Sequence, residues 1–470
     1  MLLAALVIMP LLGALAAYAT VRGQRAWLLA VALLHLGLTG SAWLVPPAPA
    51  FDGWLALDAL GLLVLSAVSL LFAVVALYVQ SRATVGSAGR GFAAWLLTFL
   101  AAASLVAVSH HLALLWVGME GTTLALAPLI FLRRDRRSLE AVWKYLVISS
   151  VGIALALLGT FFLATAQGDL APGARPLVLE DLVAGAGGLH PVWLKAAFIF
   201  LLVGYGTKLG LAPMHTWKPD TYGEAPALVA ALMAGGLTSC AFLGIARVSE
   251  VTAAAGLADF TRPPLVAFGL VSLAVAAAFV IGQSDVKRLL AYSSVEHVGL
   301  LVLGLGLGGA GAYGSVLHLV NNALAKGFVF LAVGTILAAG VGRAAGSLRA
   351  APVSGMLLLV GLFAITGSPP FGMFLSEFTI VRAAWAGGHP WIAAVMLTLL
   401  ALIFVGLAGT ILELLFHSPP GQQPRVRESG WVVVGPAVLA AGVLLLGVAI
   451  PDPLQDALAR AATALGGAAP

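Results

Sequence analysis

Long apolar blocks alternate with short polar connections along the chain. Each block holds close to 20 residues, the length that an α-helix needs to cross roughly 30 Å of hydrocarbon. No block alternates apolar and polar residues with a period of two, so a β-barrel is excluded. The pattern predicts an all-α, polytopic membrane protein with about fourteen transmembrane helices. The predicted spans lie at about residues 1–20, 26–45, 59–80, 91–109, 112–132, 141–166, 193–212, 225–248, 264–283, 288–308, 313–340, 354–384, 391–416 and 431–450.

The amino-acid composition agrees with this architecture. Of the 470 residues, 61% are hydrophobic and 9% are charged, whereas about a quarter of the residues in a soluble domain are charged. A multi-domain soluble enzyme is therefore excluded. With Cys240 as the only cysteine, the chain alone supplies no disulfide, thiolate metal site or iron–sulfur cluster. The basic residues lack interleaved aromatic residues, which excludes nucleic-acid binding, and we predict no cofactor and no metal.

Lysine and arginine side chains fall unequally on the two sides of the predicted spans, with 15 on one side and five on the other. Because basic residues favour the cytoplasmic side, this asymmetry predicts that both termini lie outside. The first block has no basic n-region and is predicted to be a span rather than a cleaved signal. The larger set is Arg22, Arg25, Arg82, Arg90, Arg133, Arg134, Arg136, Arg137, Lys218, Lys287, Arg288, Arg343, Arg349, Arg425 and Arg427, and the smaller set is Arg175, Arg247, Arg262, Arg382 and Arg460.

Ionisable side chains inside the spans are costly in lipid and are therefore candidates for function. Lys144 and Lys195 lie near span ends, so we expect them to snorkel to the interface without a further role. The deeper groups are the carboxylates Glu120, Glu296, Glu377 and Glu413 and the lysines Lys208 and Lys326.

The eleventh span carries His318, Asn322 and Lys326 at helical spacing, as one stripe about 12 Å long. This stripe predicts a hydrated polar face within a helix. The alternative, for His318 or Asn322 taken alone, is a satisfied interhelical hydrogen bond. The lysine on the same stripe favours the hydrated face.

Two spans are interrupted at polar positions, the seventh at 208–220 and the twelfth at 366–372. Proline breaks a helix, and broken backbone in a membrane is tolerated where it is buried or lines water. In each half of the chain an acidic span precedes a broken one, which predicts two inverted five-helix repeats, spans 4–8 and 9–13. The predicted organisation is an N-terminal three-helix segment at 1–90, a first repeat at 91–250, a second repeat at 260–416, and a C-terminal helix with a short tail at 417–470.

Five sequence motifs, taken together, are specific enough to indicate a protein superfamily. They are LLWVGME at 114–120, KLGLAPMHTWKPDTYGEAP at 208–226, SDVKRLLAYSSVEHVG at 284–299, the stretch 318–326, and SPPFGMFLSEF at 368–378. They resemble the antiporter-like membrane subunits shared by respiratory complex I, Mrp-type sodium/proton antiporters and membrane-bound hydrogenases, over about residues 50–415. The Glu296-His297 pair resembles the hydrogenase-4 component F branch, since complex I subunits usually carry serine before the histidine. The tail after the last span is too short for the lateral helix of the largest complex I subunit.

The resemblance implies roles for individual residues. Glu120 would form a charged pair with Lys208, and Lys208 would be the central switching base. His318 and Lys326 would be connecting polar groups, and Glu377 the exit-side carboxylate. A change in the Glu120–Lys208 distance would then switch the lysine between holding and releasing a proton. The secondary candidates are His215, Ser239, Glu296, His297 and Asn322.

Ser239 marks a departure from the superfamily pattern. In the eighth span it occupies the position where complex I and Mrp subunits place a lysine, and the hydrogenase-4 branch likewise tends to lack that lysine. Either Ser239 with water replaces the lysine, or the proton path runs differently in this chain.

The resemblance implies a proton- or sodium-translocating membrane subunit of a hydrogenase-4-like or complex I-like redox complex in the cytoplasmic membrane of a prokaryote. Without a P-loop, a dinucleotide fingerprint or a metal constellation, the chain needs a partner, expected to be a peripheral iron–sulfur or nickel–iron arm beside other membrane subunits. The alternatives are an Mrp-type cation/proton antiporter subunit and a non-conducting membrane anchor. An intramembrane hydrolase is disfavoured because HExxH and GxSxG motifs are missing.

Overall fold

The computed structural model describes residues 1–81, 89, 91–168, 174–338, 347–416 and 428–467, apart from the side chains of Val21, Ser347 and Arg349. Six basic positions used in the charge count therefore lie outside this description, namely Arg82, Arg90, Arg343, Arg425, Arg427 and the side chain of Arg349.

Regular secondary structure in the described residues is helical, with only three isolated β-bridges. This confirms the predicted all-α class. Single helical turns lie at Val21–Gly23, Phe131–Arg133, Ala186–Gly188 and Ser347–Ala350. The longer helices are α1 (Leu2–Ala19), α2 (Gln24–Leu44), α3 (Ala59–Tyr78), α4 (Phe92–Val108), α5 (Leu112–Ile130), α6 (Arg136–Gln167), α7 (Leu179–Ala184), α8 (Pro191–Leu209), α9 (Trp217–Glu224), α10 (Ala227–Ala254), α11 (Ala258–Val280), α12 (Val286–Leu307), α13 (Ala310–Ala338), α14 (Pro352–Ile365), α15 (Gly372–Ala386), α16 (Pro390–Phe416), α17 (Gly430–Val448) and α18 (Asp452–Ala464).

Twelve helices of the described chain are long and apolar enough to cross a membrane. Two shorter apolar helices, α4 and α14, coincide with further predicted spans. The polytopic membrane architecture is thereby confirmed, whereas the figure of fourteen crossings stays a prediction.

Both predicted helix breaks are present. α8 ends at Leu209 and is followed by Gly210, whose φ of +75° is left-handed, and α9 starts at Trp217. In the second repeat, α14 ends at Ile365 and α15 starts at Gly372. Prolines lie in both gaps, and their missing N–H groups cannot continue a helical hydrogen-bond ladder. The breaks therefore follow from the local sequence.

A third irregularity, which the hydropathy pattern does not indicate, is a π-helical turn inside α10 at Met233–Leu237. The turn packs closely on α13, because a Cβ at Gly235 would lie 3.0 Å from the carbonyl oxygen of Ala323. The carbonyl oxygen of Ala234 in this turn accepts a hydrogen bond from Asn322 Nδ2 at 3.3 Å. The turn thus supplies a backbone acceptor to the polar side of α13.

The helices form a buried centre and an apolar periphery. The most apolar stretches of α10 and α13 are wholly buried and that of α12 is nearly so, while α1, α2, α11 and α16 expose much of their apolar surface. Apolar outer faces are expected of helices in contact with lipid. The polar residues of the candidate site on α12 and α13 are thereby kept away from lipid.

Contacts between loops divide the helix ends into two faces. On face A, Asp58 before α3 contacts Arg247 of α10 at 3.1 Å, and His110 before α5 contacts Glu180 of α7 at 2.7 Å. On face B, Asp220 of α9 bonds to Lys144 of α6 at 2.7 Å and to Arg288 of α12 at 2.9 Å. These pairings agree with the alternation of connections that the charge count assumed.

The loop between α6 and α8 is held on face A by an ion pair. Arg175 bonds to both carboxylate oxygens of Asp181, at 2.7 and 2.9 Å. The guanidinium of Arg175 holds the pKa of Asp181 below its usual range, and the hydrogen bond from His110 does the same for the pKa of Glu180. Both acids are therefore ionised at neutral pH, and these contacts weaken only as the pH falls through the lowered pKa values.

The C-terminal tail adds one element that the span pattern did not contain. Helix α18 is amphipathic and packs its buried residues, among them Leu458 and Ala461, on α3 and α13. The tail thus contributes to the core next to the polar helix α13.

Candidate ion-translocation site

A first buried polar group lies between α5 and α8. Thr123 follows Glu120 by one helical turn, and its hydroxyl donates to Glu120 Oε2 at 3.1 Å. Lys208, which is 1% exposed at the end of α8, donates from Nζ to the same hydroxyl. The Lys208 ammonium also lies 5.3 Å from the ring centre of Tyr145. We call Glu120, Thr123 and Lys208 the first triad.

The first triad corrects two expectations. A charged pair of Glu120 with Lys208 was expected, but in this geometry the Thr123 hydroxyl stands between the two groups. Glu120 was also counted among the deeper groups of the spans, but it is only half-buried. It lies near the middle of α5, and Val117 and Leu124 on the same helix are 49% and 57% exposed. The carboxylate therefore faces the lateral surface of the chain.

A second group of the same composition lies between α12 and α13. Lys326 donates from Nζ to Ser293 Oγ at 2.7 Å, and Ser293 donates to Glu296 Oε2 at 3.3 Å. All three side chains are at most 1% exposed. We call them the second triad. Here the hydroxyl residue precedes its carboxylate by one turn, whereas Thr123 follows Glu120.

A histidine cluster continues the polar region toward the second helix break. His318 Nε2 lies 3.2 Å from His297 Nδ1, and His318 Nδ1 lies 2.9 Å from Ser376 Oγ. Glu377 is next to Ser376 on α15 and is 7% exposed. Its carboxylate lies against the break, since a Cβ at Gly367 would come within 2.7 Å of Glu377 Cδ. We call His297, His318, Ser376 and Glu377 the histidine cluster.

The polar stripe of α13 contacts three different helices. His318 contacts α12 and α15, Asn322 contacts the π-helical turn of α10, and Lys326 contacts α12. The three residues are at most 1% exposed. Helix α13 therefore joins the second triad to the histidine cluster.

The family model described as NADH:quinone oxidoreductase/Mrp antiporter, TM matches residues 109–403, which contain both triads and the histidine cluster. The chain belongs to this family. The resemblance inferred from the motifs is confirmed.

Relatives and a solved structure agree with the family assignment. The hydrogenase-4 component F homolog of Methylacidiphilum infernorum is 35% identical over 331 residues, which are 69% of this chain and 69% of that protein. NADH-quinone oxidoreductase subunit 14 of Thermus thermophilus is 34% identical over 385 residues, 80% of this chain and 82% of that protein. A chain of the archaeal membrane-bound sulfane sulfur reductase has the same fold, with a TM-score of 0.87, 22% identity, and coverage of 99% of this chain and 98% of that chain.

Two of the secondary candidate residues, Ser239 and His215, lie apart from both triads. Ser239 donates its hydroxyl to the carbonyl of Gly235 in its own helix at 2.7 Å. His215 is half-buried in the gap between α8 and α9, and its Nδ1 has no hydrogen-bond partner among the described residues. Neither side chain directly joins the first triad to the second.

Two basic residues assigned to connections are buried instead. Lys218 and Arg247 are both 0% exposed, so the charge count needs correction. Without Lys218 and Arg247, fourteen basic residues remain on the predicted cytoplasmic side and four on the predicted outer side. The sequence did contain a signal for Lys218, because it falls inside the interrupted segment 208–220.

Three residues of the histidine cluster could hold a metal by distance alone. Ligand atoms of His297, His318 and Glu377 lie within 4.8 Å of one another. However, Lys326 and Lys218 lie close enough to His297 for their charges to interact with it. Like charges repel strongly at low dielectric, so a divalent cation is disfavoured here.

Proposed function

We propose that this chain translocates protons, or sodium ions, as a membrane subunit of a hydrogenase-4-like or complex I-like redox complex. The observation that carries the proposal is the pair of triads, each a carboxylate, a hydroxyl and a lysine, the second of which is joined to the histidine cluster by the polar side of α13. Unpaired buried charges cost several kcal/mol. Movement of a carboxylate relative to its lysine therefore changes whether the lysine holds a proton, which is the elementary step of a pump.

The role assignment follows the contacts. Lys208 and Lys326 exchange protons within their triads, His318 and Asn322 connect the triads to the break of the second repeat, and Glu377 faces the exit. A crevice of about 340 Å³ is lined by Glu377 together with Phe378 and Phe404. The carboxylate thus borders an opening at the side of α15.

Other membrane subunits are required by the position of Glu120. An ionisable side chain at the middle of a span is costly against lipid. Because Glu120 is partly exposed in the isolated chain, a neighbouring polar protein surface fits this position better than acyl chains. We propose that a partner membrane subunit covers it, and that a peripheral iron–sulfur or nickel–iron arm supplies the energy.

The orientation is part of the proposal. Face B carries the excess of basic residues, and basic connections favour the cytoplasm. We therefore assign face B to the cytoplasm and both termini to the outer side of the membrane.

The test is purification of the intact complex from host membranes through a tag at Met1, which is fully exposed, followed by reconstitution into vesicles. Co-purification of an iron–sulfur or nickel–iron arm, with redox-driven acidification that Lys208→Ala abolishes, is expected. A protonophore and a sodium ionophore identify the ion. Recovery of only small antiporter chains would favour an Mrp-type subunit. Redox activity without movement of either ion would favour a non-conducting anchor.

A further inference from the structure

Lys218 is a buried basic residue for which the superfamily resemblance provides no role. It lies on α9, the second half of the first broken helix, and is 0% exposed. Its Nζ finds no hydrogen-bond acceptor among the described residues. Since a buried ammonium without partners is costly, its retention at this position calls for a functional explanation.

The fold makes specific room for this side chain. The alkyl part of Lys218 lies across Gly210, where an added Cβ would come within 2.6 Å of Lys218 Cε. Gly210 is the left-handed residue that ends α8, two positions after Lys208. The helix break that follows the first triad therefore also accommodates Lys218.

On its other side, Lys218 approaches the second triad. Its Nζ lies 5.8 Å from the ring centre of Tyr222, and the Tyr222 ring packs edge-on against Phe330 at 5.6 Å. Phe330 follows Lys326 by one turn of α13. The charge of Lys218 also interacts with those of Lys326 and His215. Lys218 thus lies between the two triads, next to a half-buried histidine.

Ser239 cannot replace the lysine of the eighth predicted span as a proton carrier. Its hydroxyl donates to the carbonyl of Gly235 within its own helix, and a neutral hydroxyl does not hold an additional proton in the physiological range. The side chain of Tyr222, over which Lys218 lies, is beside Thr238, the residue before Ser239. Lys218 therefore reaches the neighbourhood of the vacant lysine position from another helix.

We propose that Lys218 takes the place of the missing eighth-span lysine and carries the proton between the triads. In this step the Lys208 ammonium releases one proton and the neutral amine of Lys218 takes it up. Lys218 then releases it toward Lys326, through water where the amines do not touch. Repulsion between Lys218 and Lys326 favours one proton on the pair at a time. The inference rests on the proposed function.

The test uses the reconstituted intact complex and two variants. Lys218→Met keeps an unbranched apolar side chain that ends where the amine begins, so redox-driven ion movement should fall at least about tenfold while complex yield is kept. Lys218→Arg keeps a charge that cannot be released, so ion movement should also be lost. The matched control is Lys195→Met, which removes a lysine over the Phe260 ring outside the triads and should move ions at the wild-type rate.

Each result bears on the proposal. Wild-type ion movement in Lys218→Met would overturn it. If Lys218→Met fails to assemble, Lys218→Arg decides, because a purely structural cation would be replaced by arginine and ion movement would be kept. A wild-type complex that moves no ions would contradict the proposed function instead, so the two failures are distinguishable.

Discussion

The hydroxyl groups of Thr123 and Ser293 determine how charge is arranged in the two triads. Each hydroxyl accepts from a lysine and donates to a carboxylate. A hydroxyl has only one proton to donate, so rotation of the Thr123 side chain breaks the link to Glu120. One side-chain rotation can therefore break the hydrogen-bonded link between the two charged groups without a movement of helices.

Replacing Thr123 by valine should reduce ion movement by about tenfold or more. Valine has nearly the same shape but cannot bridge the two charged groups, and a hydrogen bond to a charged group contributes about 1.5–3 kcal/mol, which corresponds to about one or two powers of ten in rate. The measurement is redox-driven ion uptake in vesicles containing the purified complex.

Thr123→Ser is the matched control, because it keeps the hydroxyl and removes only a methyl group. It should keep most of the ion uptake. Equal uptake by the valine and serine variants would show that Lys208 and Glu120 communicate without the hydroxyl.

At the residue scale, the sequence located the charges but not their partners. Glu120, Lys208, Lys326 and Glu377 were found because charge inside an apolar span is costly. Thr123 and Ser293 could not be found this way, since hydroxyl residues are common in membrane helices and usually bond to their own backbone. Lys218 was missed because the neighbouring Pro219 and Asp220 gave the segment the composition of a connection.

At the scale of elements, the second helix break is packed against α17 through a single glycine. A Cβ at Gly447 would overlap the carbonyl oxygen of Pro370 and lie 2.5 Å from the carbonyl carbon of Phe371. Gly447 therefore lies directly against the segment that precedes Glu377. The shape of the break therefore depends on a helix outside both predicted repeats.

Gly447→Ala should displace the break, lower the thermal stability and reduce ion movement. Overpacking of this kind costs about 1–3 kcal/mol, and the displaced backbone adjoins the Glu377 carboxylate. Thermal unfolding of the purified complex and ion uptake are the measurements. Gly442→Ala on the same helix is the control, because its Cβ would meet only Leu324 Cδ1 at 3.4 Å. Equal behaviour of the two variants would contradict this account of the break.

The sequence predicted the two helix breaks but neither the π-helical turn nor helix α18. Hydropathy and proline placed both breaks correctly, because an apolar span and a missing N–H are local properties. The π-helical turn at Met233–Leu237 depends on the contact of Gly235 with α13, which is distant in the chain. Helix α18 was not predicted because its amphipathic stretch of 13 residues is too short and too polar to register as a span. Tertiary packing decides such elements.

At the scale of the whole molecule, the contacts bring the start of α1 and Gly467, the last described residue, to face A. Gln80, just after α3, donates to the carbonyl of Arg25 at 3.2 Å, so the connection between α1 and α2 lies at the opposite face and α1 begins at face A. At the other end, Gly467 adjoins Gly309, in the connection between α12 and α13. Termini on one face require an even number of crossings.

Cysteine labelling tests which side face A occupies. Cys240, the natural cysteine, is fully buried, so cysteines introduced into the complex can be labelled over a low background. A reagent that cannot cross the membrane should label Gly187→Cys and Thr463→Cys in intact cells. Arg137→Cys, in the first turn of α6 on face B, should react only after the membrane is opened, because the basic connections favour the cytoplasm.

Gly187 is exposed and its Cβ would meet nothing within 4 Å, so lack of labelling there cannot be attributed to packing. Labelling of Arg137→Cys alone in intact cells would reverse the orientation and move Glu377 and the proposed exit to the other half of the membrane. Opposite results at Gly187→Cys and Thr463→Cys would mean that the two positions lie on different sides, which contradicts the even number of crossings and the pairing of the two repeats.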